Sequence, residues 1–318
     1  MEIRQTRGVV LRTTGSWYRV RDSKTGGVYS CRAGGRLRLH GDRSTNPFAV
    51  GDGVVIEFHG QDESPLIIKR EKRRNAIVRR SVNLSKQRQI VAANLDRAFL
   101  VVTVASPETS TGFIDRFLVT AEAYGVPTTL VFNKCDLYKG QLDAIARLDY
   151  LEEVYSKAGY SSLRTSAETG EGLGKLKSSL ASAGINLLSG HSGVGKSTLI
   201  NRLVPGLELK TGGVSSVHQK GKHTTTFAEM FALPSGGYIV DTPGIKGFGL
   251  VELERGKLHH YFPELFAKLP ACKFHNCLHR NEPKCAVREA VQKEEIAESR
   301  YLNYLDLYEN FEANTSYR

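Results

Sequence analysis

The chain has 318 residues, enough for roughly two or three domains that each bury a core. Its 44 Lys and Arg against 33 Asp and Glu leave a formal charge of +11, which favours a polyanionic partner such as RNA without establishing one. No apolar run approaches the ~18 residues of a membrane span and no charged-then-apolar leader opens the chain, so a soluble, cytoplasmic protein with no membrane partner is expected.

The first seventy residues read as short β-strands: Gly8 to Arg12, Trp17 to Arg21, Val28 to Arg32 and Val54 to Phe58. Turn residues punctuate them and no sizeable helix intervenes, so a small closed, OB-like β-barrel is expected over 1–70. The basic connector KREKRRNAIVRR (Lys69 to Arg80) marks a boundary, the linker being placed at 71–87, and is read as a solvated linker or an RNA-contacting strap. From 88 to 251 apolar strands alternate with helical stretches. Ala98 to Ala105, Thr128 to Asn133, Ser162 to Ala167, Ile185 to Ser189 and Tyr238 to Thr242 predict a doubly wound, mainly parallel sheet. The tail 252–318 is helical and polar around a Cys/His cluster, which makes the whole a multidomain α/β chain.

Chemistry concentrates in three motifs. GHSGVGKST comprises Gly190, His191, Ser192, Gly193, Val194, Gly195, Lys196, Ser197 and Thr198, lying between a strand and a helical stretch. A loop of this kind turns its backbone N–H groups and the helix N-terminus toward phosphates. Lys196 reaches the β and γ oxygens, and the Ser197 hydroxyl ligates magnesium. DTPG ends the strand YIVDT, where Asp241 can hold magnesium through water and the Gly244 N–H can sense the γ-phosphate. NKCD, comprising Asn133, Lys134, Cys135 and Asp136, ends another strand. The Asp136 carboxylate accepts from N1–H and the exocyclic amine of guanine, donors that adenine lacks. Asn133 can serve the O6/N7 edge or tie loops together, and the Lys134 stem can lie along the ring. TSAETG then supplies a backbone turn at Ser166 and Ala167 against the base. GTP with magnesium is the expected ligand.

Between phosphate loop and DTPG the chain reads KTGGVSSVHQKGKHTTTFAEM, whose glycine, serine and lysine suit a segment ordered by γ-phosphate and magnesium. Of Thr224, Thr225 and Thr226, Thr225 is the favoured magnesium ligand. The position after the DTPG glycine, where many GTPases place a glutamine to orient the attacking water, holds Ile245. His223 is the nearest polar substitute by sequence; a group supplied by a partner is its rival.

The pieces run NKCD, TSA, phosphate loop, TTT, DTPG, whereas an ordinary GTPase reaches its base motifs last. A circular permutation accounts for that order, because domain termini lie at the surface and can be rejoined. With GKHTTT and DTPGIKGFG added, the sequence resembles the ribosome small subunit-dependent GTPase A (RsgA) family of bacterial assembly factors over nearly its whole length. The resemblance implies GTP hydrolysis stimulated by the small ribosomal subunit, late in that subunit's maturation and through contact with its rRNA. A guanine-nucleotide-gated RNA-binding module with incidental hydrolysis is the alternative. A monomer is expected.

The five cysteines suit a reducing compartment, and three of them, Cys272, Cys277 and Cys285, cluster with His275 and His279. Closed coordination of thiolates and one imidazole suits a single structural zinc. The family pattern implies Cys272, Cys277, His279 and Cys285, while the residues themselves leave His275 open. Tyr301, Tyr304, Leu305 and Tyr308 share a helical face expected to pack on this module. In the barrel, Trp17, Tyr18 and Tyr29 amid Arg12, Arg19, Arg21 and Arg32 fit either an RNA-stacking surface or ordinary inside-outside alternation.

Overall fold

The computed structural model describes residues 3–34, 47–60, 64–80, 88–181, 184–209, 228–241 and 253–311. Strands β1 (Arg4–Thr14), β2 (Trp17–Asp22), β3 (Val28–Ala33), β4 (Gly53–Phe58) and β5 (Leu66–Arg70) pair in the order β1-β2-β3-β5-β4, and β4 returns to β1. The β3–β5 pair is parallel and the others antiparallel, so the sheet closes as an OB-like barrel. Alternation fixes what faces inward: Val10, Tyr18, Val20, Cys31, Ile56 and Ile67 are buried and Phe48 packs edge-on to Tyr18 at 5.0 Å. Tyr18 is therefore core rather than part of a stacking surface. Trp17 and Arg32 lie on the outer face, the guanidinium 4.2 Å from the indole centroid.

The basic connector holds more structure than its charge suggested. Arg73 closes a fork on the buried carboxylate of Asp52, at 2.6 and 2.7 Å. Strand β6 (Ala76–Arg80) pairs antiparallel with β7 (Arg88–Ala93) and buries Ile77, so the apolar Ala-Ile-Val triplet counts for more than the lysines and arginines around it.

The central sheet comprises β8 (Arg97–Val102), β9 (Thr128–Phe132), β10 (Ser161–Arg164), β11 (Ile185–Ser189), β12 (Glu229–Ala232) and β13 (Tyr238–Asp241), in the order β10-β9-β8-β11-β13-β12. All pairs are parallel except β12–β13. Apolar clusters cover both faces with help from α1 (Thr111–Ala123), α2 (Leu142–Lys157), α3 (Leu173–Ala181) and α4 (Lys196–Leu203). The strand that feeds the phosphate loop, β11, sits mid-sheet although the chain reaches it only after β8, β9 and β10. Strand β12 also touches the barrel through the pair Arg12 and Glu229, with Arg12 and Arg19 3.5 and 4.0 Å from that carboxylate.

Behind the sheet lie a 3-10 segment (Arg255–Tyr261), α5 (Pro263–Lys268), α6 (Ala286–Gln292) and α7 (Glu298–Glu309). Tyr304 and Tyr308 of α7 are buried, and the Tyr301 and Tyr304 hydroxyls donate to the carbonyls of His279 and Leu278 at 2.7 and 2.5 Å. Helix α7 docks on α1 through Arg300, 1% exposed, which contacts Asp115 and Glu264 at 2.7 Å each.

Candidate nucleotide site and metal centre

Parallel strands deliver their loops to one edge of the sheet, and the two halves of the expected site meet there. Asn133 follows β9 and is fully buried. Its amide donates to the Val194 carbonyl of the phosphate loop at 2.8 Å, while its oxygen accepts from the Thr165 hydroxyl and the Ala167 N–H at 3.1 Å each. Of the two uses open to Asn133, tying loops together is the one its hydrogen bonds make. A cleft of about 210 Å³ is lined by residues of NKCD, TSAETG and the phosphate loop, among them Lys134, Asp136, Ala167, Gly195 and Thr198. Lys134 is left-handed (φ 65°), with its ammonium 2.7 Å from the Ser106 carbonyl. Cys135 does not line the cleft; its thiol turns back on the Phe132 carbonyl at 3.3 Å. The Ser166 hydroxyl accepts from the Thr169 N–H at 3.0 Å, which rounds the turn that carries Ala167.

The phosphate loop needs its glycines for space. A Cβ on Gly190 would lie 2.4 Å from the Val101 carbonyl oxygen. One on Gly195, itself at φ +95°, would lie 2.4 Å from the Asn133 amide nitrogen. Gly195 leads directly into α4, whose N-terminus carries Lys196, Ser197 and Thr198. Lys196 is 8% exposed and donates to the carbonyls of Gly190 and His191 at 2.6 and 2.7 Å. Burial pushes its ammonium down to about 8, against the opposing pull of Asp241. Asp241 ends β13, beside β11, and burial raises its carboxyl while Lys196 holds it down. A cation and a carboxylate thus share the water-poor floor of a loop whose rim, Ser192 and Gly193, is exposed. This pairing can serve a triphosphate with its metal. His191 is set by Thr109, whose hydroxyl lies 2.7 Å from Nε2, and by the edge of Phe113 at 5.5 Å; burial lowers its basicity.

His223, Thr225, Gly244 and Ile245 fall outside the described residues. Several contributors had no motif to announce them. Tyr138 donates to the Asn133 carbonyl at 2.9 Å and accepts from the Val104 N–H at 3.1 Å; Thr109 holds His191; Arg202 reaches the Ala167 and Glu168 carbonyls. Only Tyr138, two residues past Asp136, lies near enough to a motif to be suspected from sequence.

In the C-terminal module the ligand atoms of Cys272, Cys277, His279 and Cys285 all lie within 4.8 Å of one another and could hold one metal ion. His279 offers Nδ1, which is 3.6 Å from the Cys272 sulfur and 3.4 Å from that of Cys285. His275 is exposed and not among the four clustered ligands; it lines a surface cavity with Phe266, Lys273 and Cys272. Burial pushes the Cys277 thiol up to about 12 and the His279 imidazole down to about 4. Neutral imidazole is ready to ligate, and a cation would repay the cost of ionising the thiols.

The same arrangement recurs in known proteins. The description RsgA GTPase matches residues 70–251 and the description RsgA N-terminal domain matches residues 7–66. The small ribosomal subunit biogenesis GTPase RsgA of Bacteroides fragilis is 53% identical over 306 residues, covering 96% of this chain and 97% of the relative. Its namesake in Christiangramia forsetii is 49% identical over 309 residues, covering 96% and 97%. Among solved structures, YjeQ from Thermotoga maritima superposes with a TM-score of 0.78 at 38% identity, over 96% of this chain and 98% of that one. YloQ, described as a circularly permuted GTPase, gives 0.75 at 26% identity over 98% and 96%. A likeness that runs unbroken through barrel, reordered sheet and cysteine module makes this chain a member of the RsgA GTPase family.

Proposed function

We propose that this protein hydrolyses GTP to GDP and phosphate in the late maturation of the small ribosomal subunit, is stimulated by that subunit, and binds its rRNA. The observation that carries the reading is the shared cleft, in which phosphate loop and base loop are joined through Asn133. The names of the full-length relatives support the subunit as partner.

In this reading Asp136 pairs with the guanine N1–H and amine, Lys134 covers the ring, and the Ser166-Ala167 turn meets the purine edge. The loop from Gly190 to Thr198 wraps the phosphates and Lys196 exchanges its two loop carbonyls for phosphate oxygens. Ser197, Thr225 and, through water, Asp241 would hold magnesium, which when bound would neutralise charge on the phosphate oxygens. A water attacks the γ-phosphorus, the bond to the bridging oxygen breaks, and GDP leaves with that electron pair. Gly244 senses the γ-phosphate. Ile245 cannot orient the water, so His223 or a group of the partner does. The four-ligand cluster holds one structural zinc, expected at one equivalent per chain by elemental analysis. The chain acts as a monomer in the cytoplasm. Barrel (1–70), connector (71–87), permuted domain (88–251) and zinc module (252–318) are its working divisions, the first and last resting on RNA. The name GTPase borne by the relatives weighs against hydrolysis being incidental.

The test compares GTP turnover with and without purified small subunits. Stimulation of about tenfold or more supports the reading, in line with the gain a positioned group gives. Equal turnover in both samples removes the ribosomal part and leaves the nucleotide site standing.

A further inference from the structure

The base-binding turn has a second anchor that none of the family motifs contains. Arg202 stands in the last turn of α4, the helix whose other end carries Lys196 and Ser197. Its Nε donates to the Ala167 carbonyl at 3.1 Å and its Nη2 to the Glu168 carbonyl at 2.9 Å. Those carbonyls are consecutive and belong to residues that line the cleft. The spacing suits the guanidinium, whose donors form a rigid planar fork that a lysine cannot reproduce.

The turn is also tied to the phosphate loop through Asn133, which accepts from the Ala167 N–H and the Thr165 hydroxyl. Asn133 holds the Ala167 N–H and Arg202 holds the Ala167 and Glu168 carbonyls. With both in place, the turn cannot drift from the phosphate loop, because one clamp ends on Val194 and the other on the loop's own helix. Position matters at this turn more than elsewhere in the cleft. Guanine presents an acceptor at its six-position and adenine a donor, so a backbone turn discriminates them only while it stays at hydrogen-bond distance.

We propose that Arg202 is a positioning residue for guanine selectivity, holding the Ala167–Glu168 turn against α4 so that it meets the six-position of the purine. The assignment rests on the GTPase reading above. Arg202 itself does not line the cleft.

The test measures equilibrium binding of GDP, IDP and ADP to the full-length wild type, Arg202→Ala and Arg202→Lys, with thermal melting of each nucleotide-free protein. IDP keeps the six-position oxygen and lacks the two-amino group, so it follows the turn and not the amine contact of Asp136. Loss of two hydrogen bonds from a charged donor at an exposed site predicts that Arg202→Ala weakens GDP and IDP together by about tenfold. ADP should stay within about twofold, with the lysine variant intermediate because it supplies a single point of donation. A merely structural arginine would instead weaken all three ligands alike or lower melting without changing selectivity; either result overturns the assignment. If the alanine variant does not fold, the lysine variant decides: wild-type selectivity in it refutes the proposal. A wild type that takes ADP as readily as GDP would bring down the GTPase reading itself, an outcome separate from a selective wild type matched by its variants.

Discussion

At the scale of single residues, Lys196 shows what burying a cation beneath a loop costs the protein that carries it. The ammonium is almost fully buried, and burial holds it near 8 where an ordinary lysine sits at 10.5. Between those values the unfolded chain binds the proton and the folded chain does not, so stability rises with pH across that window; below about 8 the full penalty is present. A displacement of this size corresponds to something on the order of 3 kcal/mol. Replacing Lys196 by methionine keeps the stem and removes the charge, at the expense of the hydrogen bonds to the Gly190 and His191 carbonyls. Lys196→Met should therefore be about 1–3 kcal/mol more stable than wild type in urea at pH 7, with the difference shrinking toward pH 10 while tight GDP binding is lost. A gap that stays constant with pH would show that the ammonium is not buried in solution. The same residue was plain in the sequence because a phosphate loop is local: eight consecutive positions specify it. Arg202 and Thr109 act across 34 and 82 positions of chain, and a single sequence carries no mark of such a distance.

Among the elements, those that showed in the sequence were the ones whose surroundings repeat along the chain. Strands β8, β9 and β11 are buried on both faces and so read as continuous apolar runs. Strands β5, β6 and β12 are short, carry charge and bury one or two side chains each, so composition concealed them. Helix α7 was visible by its tyrosine spacing, but the group that fixes it to the GTPase core was not. Burial opposes charge on Arg300, yet Asp115 and Glu264 hold it protonated. Asp115 is also bound by Tyr155 at 2.8 Å and Asn303 at 2.5 Å, and the guanidinium lies 4.6 Å from the Phe262 ring centroid. A buried pair contributes little over an apolar replacement, but breaking it strands a charge. Arg300→Met should thus cost about 3–5 kcal/mol in urea unfolding, whereas the triple change with Asp115→Leu and Glu264→Gln should recover much of that loss. Equal losses in the single and triple variants would mean the interface depends on packing alone.

For the molecule as a whole, charge is distributed as unevenly as chemistry. The first 80 residues hold 17 basic and 8 acidic side chains, most of the excess behind the net +11. Much of it cannot be spent on internal pairing: Arg19 keeps 54% of its side chain exposed while lying 4.0 Å from Glu229, and Arg32 lies on Trp17 on the outer face of the barrel. Arginine beside a half-buried indole can pair with phosphate while the ring edge meets a base, and the barrel wall keeps both on one side. The proposed nucleotide cleft is braced by buried contacts of Asn133, which salt screens far less. The two activities should separate by ionic strength. Each phosphate neutralised adds roughly 0.7–0.9 to the slope of log affinity against log salt. Binding to the small subunit should therefore weaken steeply between 50 and 200 mM salt while GDP affinity stays within about twofold. Substituting Arg19 and Arg32 together by alanine should lower the subunit slope by about 1–2 and leave GDP affinity untouched. A slope unchanged by that double substitution would move the RNA-facing surface away from the barrel wall and onto another part of the chain.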